Sequence, residues 1–130
     1  MKEILFRGKA IDTGEWVYGI AFPHDNNGAV TILFQHPLDG SLNGKEVDKS
    51  TVSEFTGLID ATGMKVFDGD IISKSFIRNF YVSYSVEDAE YQANFGDVYG
   101  SPCGNLSVYF NPEDSFVVGN IYDNPELVGE

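Results

Sequence analysis

Cysteine and histidine are scarce in this sequence, and their scarcity excludes several kinds of chemistry. Cys103 is the single cysteine, so the chain forms no internal disulfide and no metal cage built from several cysteines. His24 and His36 are the two histidines, and both are distant from Cys103 in the sequence. We therefore expect no bound transition metal and no other cofactor, and we expect the Cys103 thiol to be buried or half-buried, as free cysteines commonly are.

A long apolar run is also missing near the N-terminus. Lys2 precedes the short segment Ile4-Leu5-Phe6, which Arg7 interrupts at once. A signal peptide needs a longer apolar core, and a membrane helix needs about 20 apolar residues. We expect neither of them, and the default expectation is an intracellular protein without a membrane partner.

Basic residues are absent from the C-terminal part of the chain. The formal charge is −12, and all eight Lys and Arg lie within residues 1–78, which also hold 11 acids and so carry −3. Residues 79–130 hold nine acids and carry −9. Such a field repels phosphate backbones and anionic lipids, so direct nucleic-acid binding is disfavoured. The charge fits a basic partner, or it serves solubility alone.

Apolar residues are plentiful, and they alternate with a period of two. Hydrophobic residues make up 42% of the 130 residues and aromatics 14%, which predicts one globular domain. Residues 16–22 alternate, so they predict a strand that pairs with Ile4-Leu5-Phe6 across a turn at residues 12–14. We expect the face with Trp16, Tyr18, Ile20 and Phe22 to belong to the core.

The rest of the chain also reads mainly as strands and turns. Residues 55–72 predict three strands and two tight turns, with Gly63 in a left-handed conformation. A single helical turn capped by Ser50 or Thr51 precedes them in this interpretation. Further strands are predicted over residues 30–36, 80–86, 91–95, 106–110 and 116–118, with a long exposed loop over residues 96–104.

This pattern predicts a mainly β fold with little helix. Closely spaced strands with turns between them indicate a small antiparallel barrel or two packed sheets, with an N-terminal β-hairpin layer. We expect a single domain over residues 1–130, with N-terminal strands over 1–55 and a central hairpin and barrel-like part over 56–130. The preferred centre of the barrel is residues 64–122.

Motifs of catalysis are missing or weak. No Gly-x-Ser-x-Gly elbow, phosphate loop or dinucleotide fingerprint occurs, so a nucleophilic triad is disfavoured. Asp68-Gly69-Asp70 supplies two carboxylates for a hard metal, but Asp-Gly is also the turn that a hairpin needs. Paired acids for glycoside hydrolysis are set by distance in space and stay open. We assign no catalytic, cofactor-binding or metal-binding residue.

Four stretches, residues 6–9, 16–19, 56–72 and 118–127, carry a family resemblance. In this order they resemble the YopX-like proteins, small proteins of phages and prophages. The resemblance implies a mostly β fold, a phage or prophage origin in a bacterial host, and no established activity; it supplies no catalytic residues. The structural signature positions are Gly57, Asp60, Gly63, Gly69, Asp70, Gly119, Asn120, Tyr122, Asn124 and Pro125.

Three functional hypotheses follow. The leading one is a non-enzymatic phage or prophage accessory protein of the bacterial cytoplasm that binds other proteins, with self-association into a homo-oligomer. The alternative is an acidic nucleic-acid mimic that blocks a host nucleic-acid-binding protein. The third is a hydrolase that uses two carboxylates. In each case we expect the apolar tail, residues 119–127, to be docked on the domain because Ile121, Tyr122 and Leu127 are too apolar for solvent.

Overall fold

A computed structural model describes residues 2–24, 29–96 and 104–130. The chain divides into two compact units, residues 1–55 and 56–130. Cys103 and most of the predicted 96–104 loop lie outside the described residues, so the expectations for them are not addressed. Within the described ranges, no helix has the length and apolar character needed to cross a membrane.

Strands dominate the secondary structure. The strands within the described residues are β1 Phe6–Ala10, β2 Trp16–Pro23, β3 Val30–Gln35, β4 Leu42–Ile59, β5 Lys65–Phe67, β6 Asp70–Lys74, β7 Phe80–Ser85, β8 Glu90–Asn94, β9 Gly104–Asn105 and β10 Ser115–Asn120. Helix α1, Leu106–Tyr109, is a single turn, and a 3-10 turn covers Pro125–Leu127. The prediction of a mainly β fold with little helix is confirmed.

The N-terminal unit is a ring of four antiparallel strand segments. β1 pairs with β2, β2 with β3 and β3 with β4, and β4 returns to pair with β1. A four-stranded ring is narrow, and buried side chains of its strands, including Ile32 and Val47, fill the space inside it. Gly19 shows how narrow it is, because an added Cβ there would lie 2.0 Å from the Leu33 carbonyl oxygen. The predicted antiparallel hairpin of the first two strands is confirmed, but its first strand is Phe6–Ala10 and not Ile4-Leu5-Phe6.

The aromatic face of β2 is on the outside of this ring, so its assignment to the core was wrong. Tyr18, Ile20 and Phe22 are 48%, 56% and 57% exposed. The face of β2 that is turned away from solvent carries Val17, Gly19 and Ala21 instead. The physical reason is local space, because a side chain at position 19 would collide with the Leu33 carbonyl and the buried Ile32 side chain.

β4 is one continuous strand of 18 residues, so the predicted helical turn near Ser50 and Thr51 was wrong. The polar residues there mark a β-bulge instead. Asp48 accepts hydrogen bonds from the N–H and hydroxyl of Ser50, and the Thr51 hydroxyl accepts from the N–H of Lys9, where the β1–β4 register shifts. Residues that cap helices can also satisfy the backbone at a bulge, which explains the misreading.

The C-terminal unit is built on an open antiparallel sheet with the order β10-β6-β7-β8-β9. Ring closure therefore occurs in the N-terminal strands and not around residues 64–122. The buried core beside this sheet contains Val66, Ile72, Phe80, Val82, Ala93, Phe95, Leu106 and Phe110. The alternating pattern of residues 80–82 predicted this burial, and the preference for a strand near residues 91–95 is confirmed by β8.

The predicted strand at Leu106, Val108 and Phe110 was wrong, because Leu106–Tyr109 forms α1. The Asn105 side chain accepts from the N–H of Ser107 and so caps the helix, and the Phe110 N–H donates to the Leu106 carbonyl. Both Leu106 and Phe110 are buried, whereas Val108 is 70% exposed. Apolar residues four apart lie on one side of a helix, and this spacing also fits alternation.

Candidate functional site

Asp60 has a structural task in the turn between β4 and β5. Its Oδ1 accepts hydrogen bonds from the Thr62 N–H and hydroxyl and from the Met64 N–H, and its Oδ2 accepts from the Val117 N–H at 2.9 Å. Burial opposes ionisation, but hydrogen bonds, first the one from Val117, outweigh it and lower the pKa of Asp60 below its usual value.

The same turn protects the free side of β10. The Ala61 N–H donates to the Ser115 carbonyl at 2.9 Å, next to the bond between Val117 and Asp60. β10 is at the edge of its sheet, where unpaired backbone groups invite association with other chains. The Asp60 turn therefore blocks this edge.

Gly69, Asp70 and Tyr122 come together at the turn between β5 and β6. Asp70 is buried, and its Oδ2 accepts from the Phe67 N–H at 2.7 Å, which fixes the turn. Gly69 has a φ of 90° and accepts from the Ile121 N–H, and a Cβ there would lie 3.0 Å from the Tyr122 ring. In this position Asp70 stabilises the backbone.

The C-terminal signature residues shape the tail. Asn120 accepts from the N–H groups of Tyr122 and Asp123, and Asn124 lies so close to Gly119 that an added Cβ would be 2.6 Å from its oxygen. Pro125 opens the 3-10 turn. Gly57 and Gly63 have φ values of 92° and 91°, which confirms the left-handed conformation predicted for Gly63.

Grouped acidic side chains are scarce in the part of the chain that the structure describes. No group of three or more His, Cys, Asp and Glu side chains there could hold a metal ion. A groove of about 560 Å³ in the N-terminal unit has one carboxylate, Asp48, among its described lining residues, beside Lys9 and Lys49. A groove of about 320 Å³ in the C-terminal unit has none.

The most distinctive surface feature of the N-terminal unit is the exposed row Tyr18, Ile20 and Phe22, which we call the β2 strip. Successive members are two residues apart on one strand, so each is about 7 Å from the next. Strand pairing places Leu33 opposite Ile20, which widens the apolar surface. Scattered apolar residues are normal on surfaces, whereas a contiguous row marks a contact surface.

A cationic cluster is at one end of the β2 strip. The Arg7 guanidinium lies 4.5 Å from the centre of the Trp16 ring, and the Lys9 ammonium lies 5.5 Å from it. Arg7 is buried and donates from Nε to the Ser53 hydroxyl at 3.1 Å. These contacts fix Trp16 beside Tyr18 and give the strip one positively charged end.

Sequence reasoning found the residues of the β2 strip but assigned them to the interior. The available signal was on the other face of the same strand, where Gly19 and Ala21 alternate with large apolar residues. On β2, Gly19 and Ala21 lie on the side of the buried Ile32, so the large residues that alternate with them face solvent. The signature residues, in contrast, all have backbone or packing roles.

Comparison with known proteins places the chain in a family. No curated protein matches its sequence. Its fold is similar to that of protein EF1440 from Enterococcus faecalis, a crystal structure with a TM-score of 0.55 and 20% identity, over 98% of this chain and 99% of that chain. At this identity the likeness establishes the fold alone. The family described as YopX protein matches residues 5–129. The chain therefore belongs to the YopX family.

Proposed function

We propose that this protein is a non-enzymatic accessory protein that acts by binding proteins, and that it self-associates through the β2 strip. The observation that carries the proposal is the contiguous exposure of Tyr18, Ile20 and Phe22. A phage or prophage origin and a place in the bacterial cytoplasm are part of the proposal and are supported by the family resemblance.

The energetics favour contact over exposure of the β2 strip. Removing apolar surface from water stabilises a complex by roughly 25 cal/mol per Å², and aromatic residues contribute most at interfaces. Each strip residue still exposes about half of its surface, so a partner that covers all three gains from this term. Self-association is the specific form proposed because one surface on two copies can pair with itself around a two-fold axis.

Light scattering of a strip variant tests the proposal. We expect wild type to be larger than a monomer at micromolar concentration and Ile20→Ser/Phe22→Ser to be smaller than wild type. Leu38→Ser is the matched control, because Leu38 is 90% exposed and outside the strip. Circular dichroism checks that the variants fold. A monomeric wild type, or a double variant that keeps the wild-type mass, contradicts the proposal.

A second candidate function is the acidic nucleic-acid mimic. The observation that favours it is the exposure of the carboxylates in the segment without Lys or Arg, namely Glu87, Asp88, Glu113, Asp123, Glu126 and Glu130. Such a surface would bind the basic groove of a host DNA-binding protein. A captured host protein that is released by moderate salt and displaced by duplex DNA supports the mimic, whereas one that resists both opposes it.

A further inference from the structure

We propose that the loop between β6 and β7 is a second self-association element, in which Phe76 of one copy inserts into the groove of about 320 Å³ in the C-terminal unit of another copy. The idea rests on the proposed self-association but uses a surface separate from the β2 strip. Four features support this contact: Phe76 has a strained backbone, the groove fits an aromatic side chain, the charges of loop and groove are complementary, and the loop lies next to the groove.

Phe76 is unusual in both backbone and exposure. It has a φ of 71°, a conformation that penalises residues with a Cβ. Its side chain is 104% exposed, so packing against the described residues does not compensate for that cost. Strain retained without a structural benefit is typical of functional sites. A side chain held in this way is presented to a partner.

The groove matches an aromatic side chain. Its walls include Leu58, Tyr91, Leu106, Phe110 and Pro112, most of them apolar. Leu106 and Phe110 belong to the buried core, and Leu58 and Tyr91 pack against it, so the walls are rigid. A pocket of this kind in a well-packed region is where an aromatic anchor contributes most to an interface.

Charge favours a second copy of this chain as the occupant. Lys74 and Arg78 flank Phe76, and they are two of the three basic residues in the C-terminal unit. Glu90 immediately precedes the groove residue Tyr91, and Glu113 immediately follows the groove residue Pro112. Insertion of Phe76 would therefore bring cationic flanks to an acidic rim.

Loop and groove are neighbours on the same unit. The Ser75 hydroxyl donates to Asp114 at 3.0 Å, and Asp114 closes the turn that begins beside Pro112. Because the inserting loop and the groove are adjacent on each copy, a two-fold axis between two copies places each Phe76 in the groove of the other copy. The contact therefore closes as a reciprocal dimer and does not continue as a fibre.

Cross-linking between two different variants tests the contact. Phe76→Cys and Pro112→Cys are made separately in Cys103→Ser chains, tagged differently and mixed under mild oxidation. We expect a covalent heterodimer on a non-reducing gel, both with and without Ile20→Ser/Phe22→Ser. Phe76→Cys mixed with Leu38→Cys is the control for random collision. A yield no higher than this control overturns the proposal, even if the β2 strip proves to be an interface.

Phe76→Gly separates association from folding. Glycine accepts a φ of 71° without strain, so we expect an equal or higher melting temperature together with dimer dissociation that is easier by about tenfold or more. A loss of folding stability would give Phe76 a structural role instead. Unchanged dissociation in a fully folded Phe76→Gly protein also overturns the proposal.

Discussion

Single residues in the turn between β4 and β5 show how this sequence specifies its backbone. Gly63 supplies the positive φ of 91°, and Asp60 accepts from three backbone N–H groups, two in its own turn and one on β10. One residue satisfies the geometry and the other satisfies the hydrogen bonds, so they fail in different ways when they are replaced.

Gly63→Val is expected to destabilise the fold by about 1–2 kcal/mol, because a β-branched residue is forced into the left-handed region. Apart from Gly63 and its two chain neighbours, no atom of the described residues lies within 4 Å of the position a Cβ would take, so the cost comes from the local backbone. Denaturant unfolding measures the loss. Gly63→Asn is the control and should cost less, since Asn tolerates this region better. Equal stability of Gly63→Val and the wild-type protein would contradict the turn argument.

Asp60→Asn is expected to lower stability at neutral pH and to weaken its dependence on acid. The pKa of Asp60 is lowered in the folded protein, so its stabilisation is fully present above the unfolded value of about 3.9 and is lost as the pH falls through the folded value. In the variant, the amide has a single acceptor oxygen, so it cannot accept both from Val117 and from the N–H groups of Thr62 and Met64 as the carboxylate does.

The measurement is urea unfolding of wild type and Asp60→Asn between pH 7 and pH 2. We expect the difference in unfolding free energy between the two proteins to be largest near neutral pH and to shrink on acidification. Asp88→Asn serves as the control, because Asp88 is an exposed acid of the same unit. A difference that stays constant over this range would remove the carboxylate from the explanation.

Among the elements, the C-terminal tail is the one whose docking the sequence predicted most directly, and the structure confirms it. Asn79 donates from its backbone to Glu130 and from its side chain to Leu127, and the Gly129 N–H donates back to Asn79. The Arg78 guanidinium donates to the Gly129 carbonyl. The chain end is therefore attached to the start of β7.

Deletion of residues 119–130 is expected to cause aggregation or loss of cooperative unfolding. It removes the end of β10, the tail contacts with Asn79 and the cover that Tyr122 gives to Gly69. Thermal melts followed by circular dichroism and scattering check this outcome. A truncated protein that melts like wild type would show that the tail serves recognition, and its loss of a binding partner would then be the result to seek.

For the whole molecule, the formal charge of −12 opposes any contact between copies. Added salt screens this repulsion, and it also screens attraction between Lys74 or Arg78 and the acids near the groove. The β2 strip is apolar, so association through it should respond little to added salt. The two proposed contacts therefore differ in their dependence on salt.

Raising the salt from about 0.05 M to about 0.5 M shortens the Debye length from about 14 Å to about 4 Å. We therefore expect a lower yield of the heterodimer between Phe76→Cys and Pro112→Cys chains. Association through the β2 strip should stay unchanged or become stronger. Light scattering of Phe76→Gly follows the strip alone. Dissociation of that variant by salt would show that ionic pairs hold the strip contact.

Local chemistry determined much of this protein from its sequence. The strands, the turns at Gly63 and Gly69, and the docked tail follow from alternation, backbone preference and apolar content, which act over a few residues. α1 was misread because apolar residues four apart fit both a helix and a strand. The bulge at Asp48 was misread because Ser50 and Thr51 serve helix caps and bulges alike.

Only the tertiary structure decided which face of β2 meets solvent and where the ring closes. Alternation shows that β2 has two faces. Which of them is the inner face depends on the space that remains after β1 and β4 pair, and the paired residues of these two strands are about 40 positions apart in the sequence. The Leu33 carbonyl and the Ile32 side chain occupy the space beside Gly19, and Tyr18, Ile20 and Phe22 are left on the outer face. The candidate site therefore arises from a constraint on space that the alternation of Gly19 and Ala21 signals and that only the pairing of distant strands imposes.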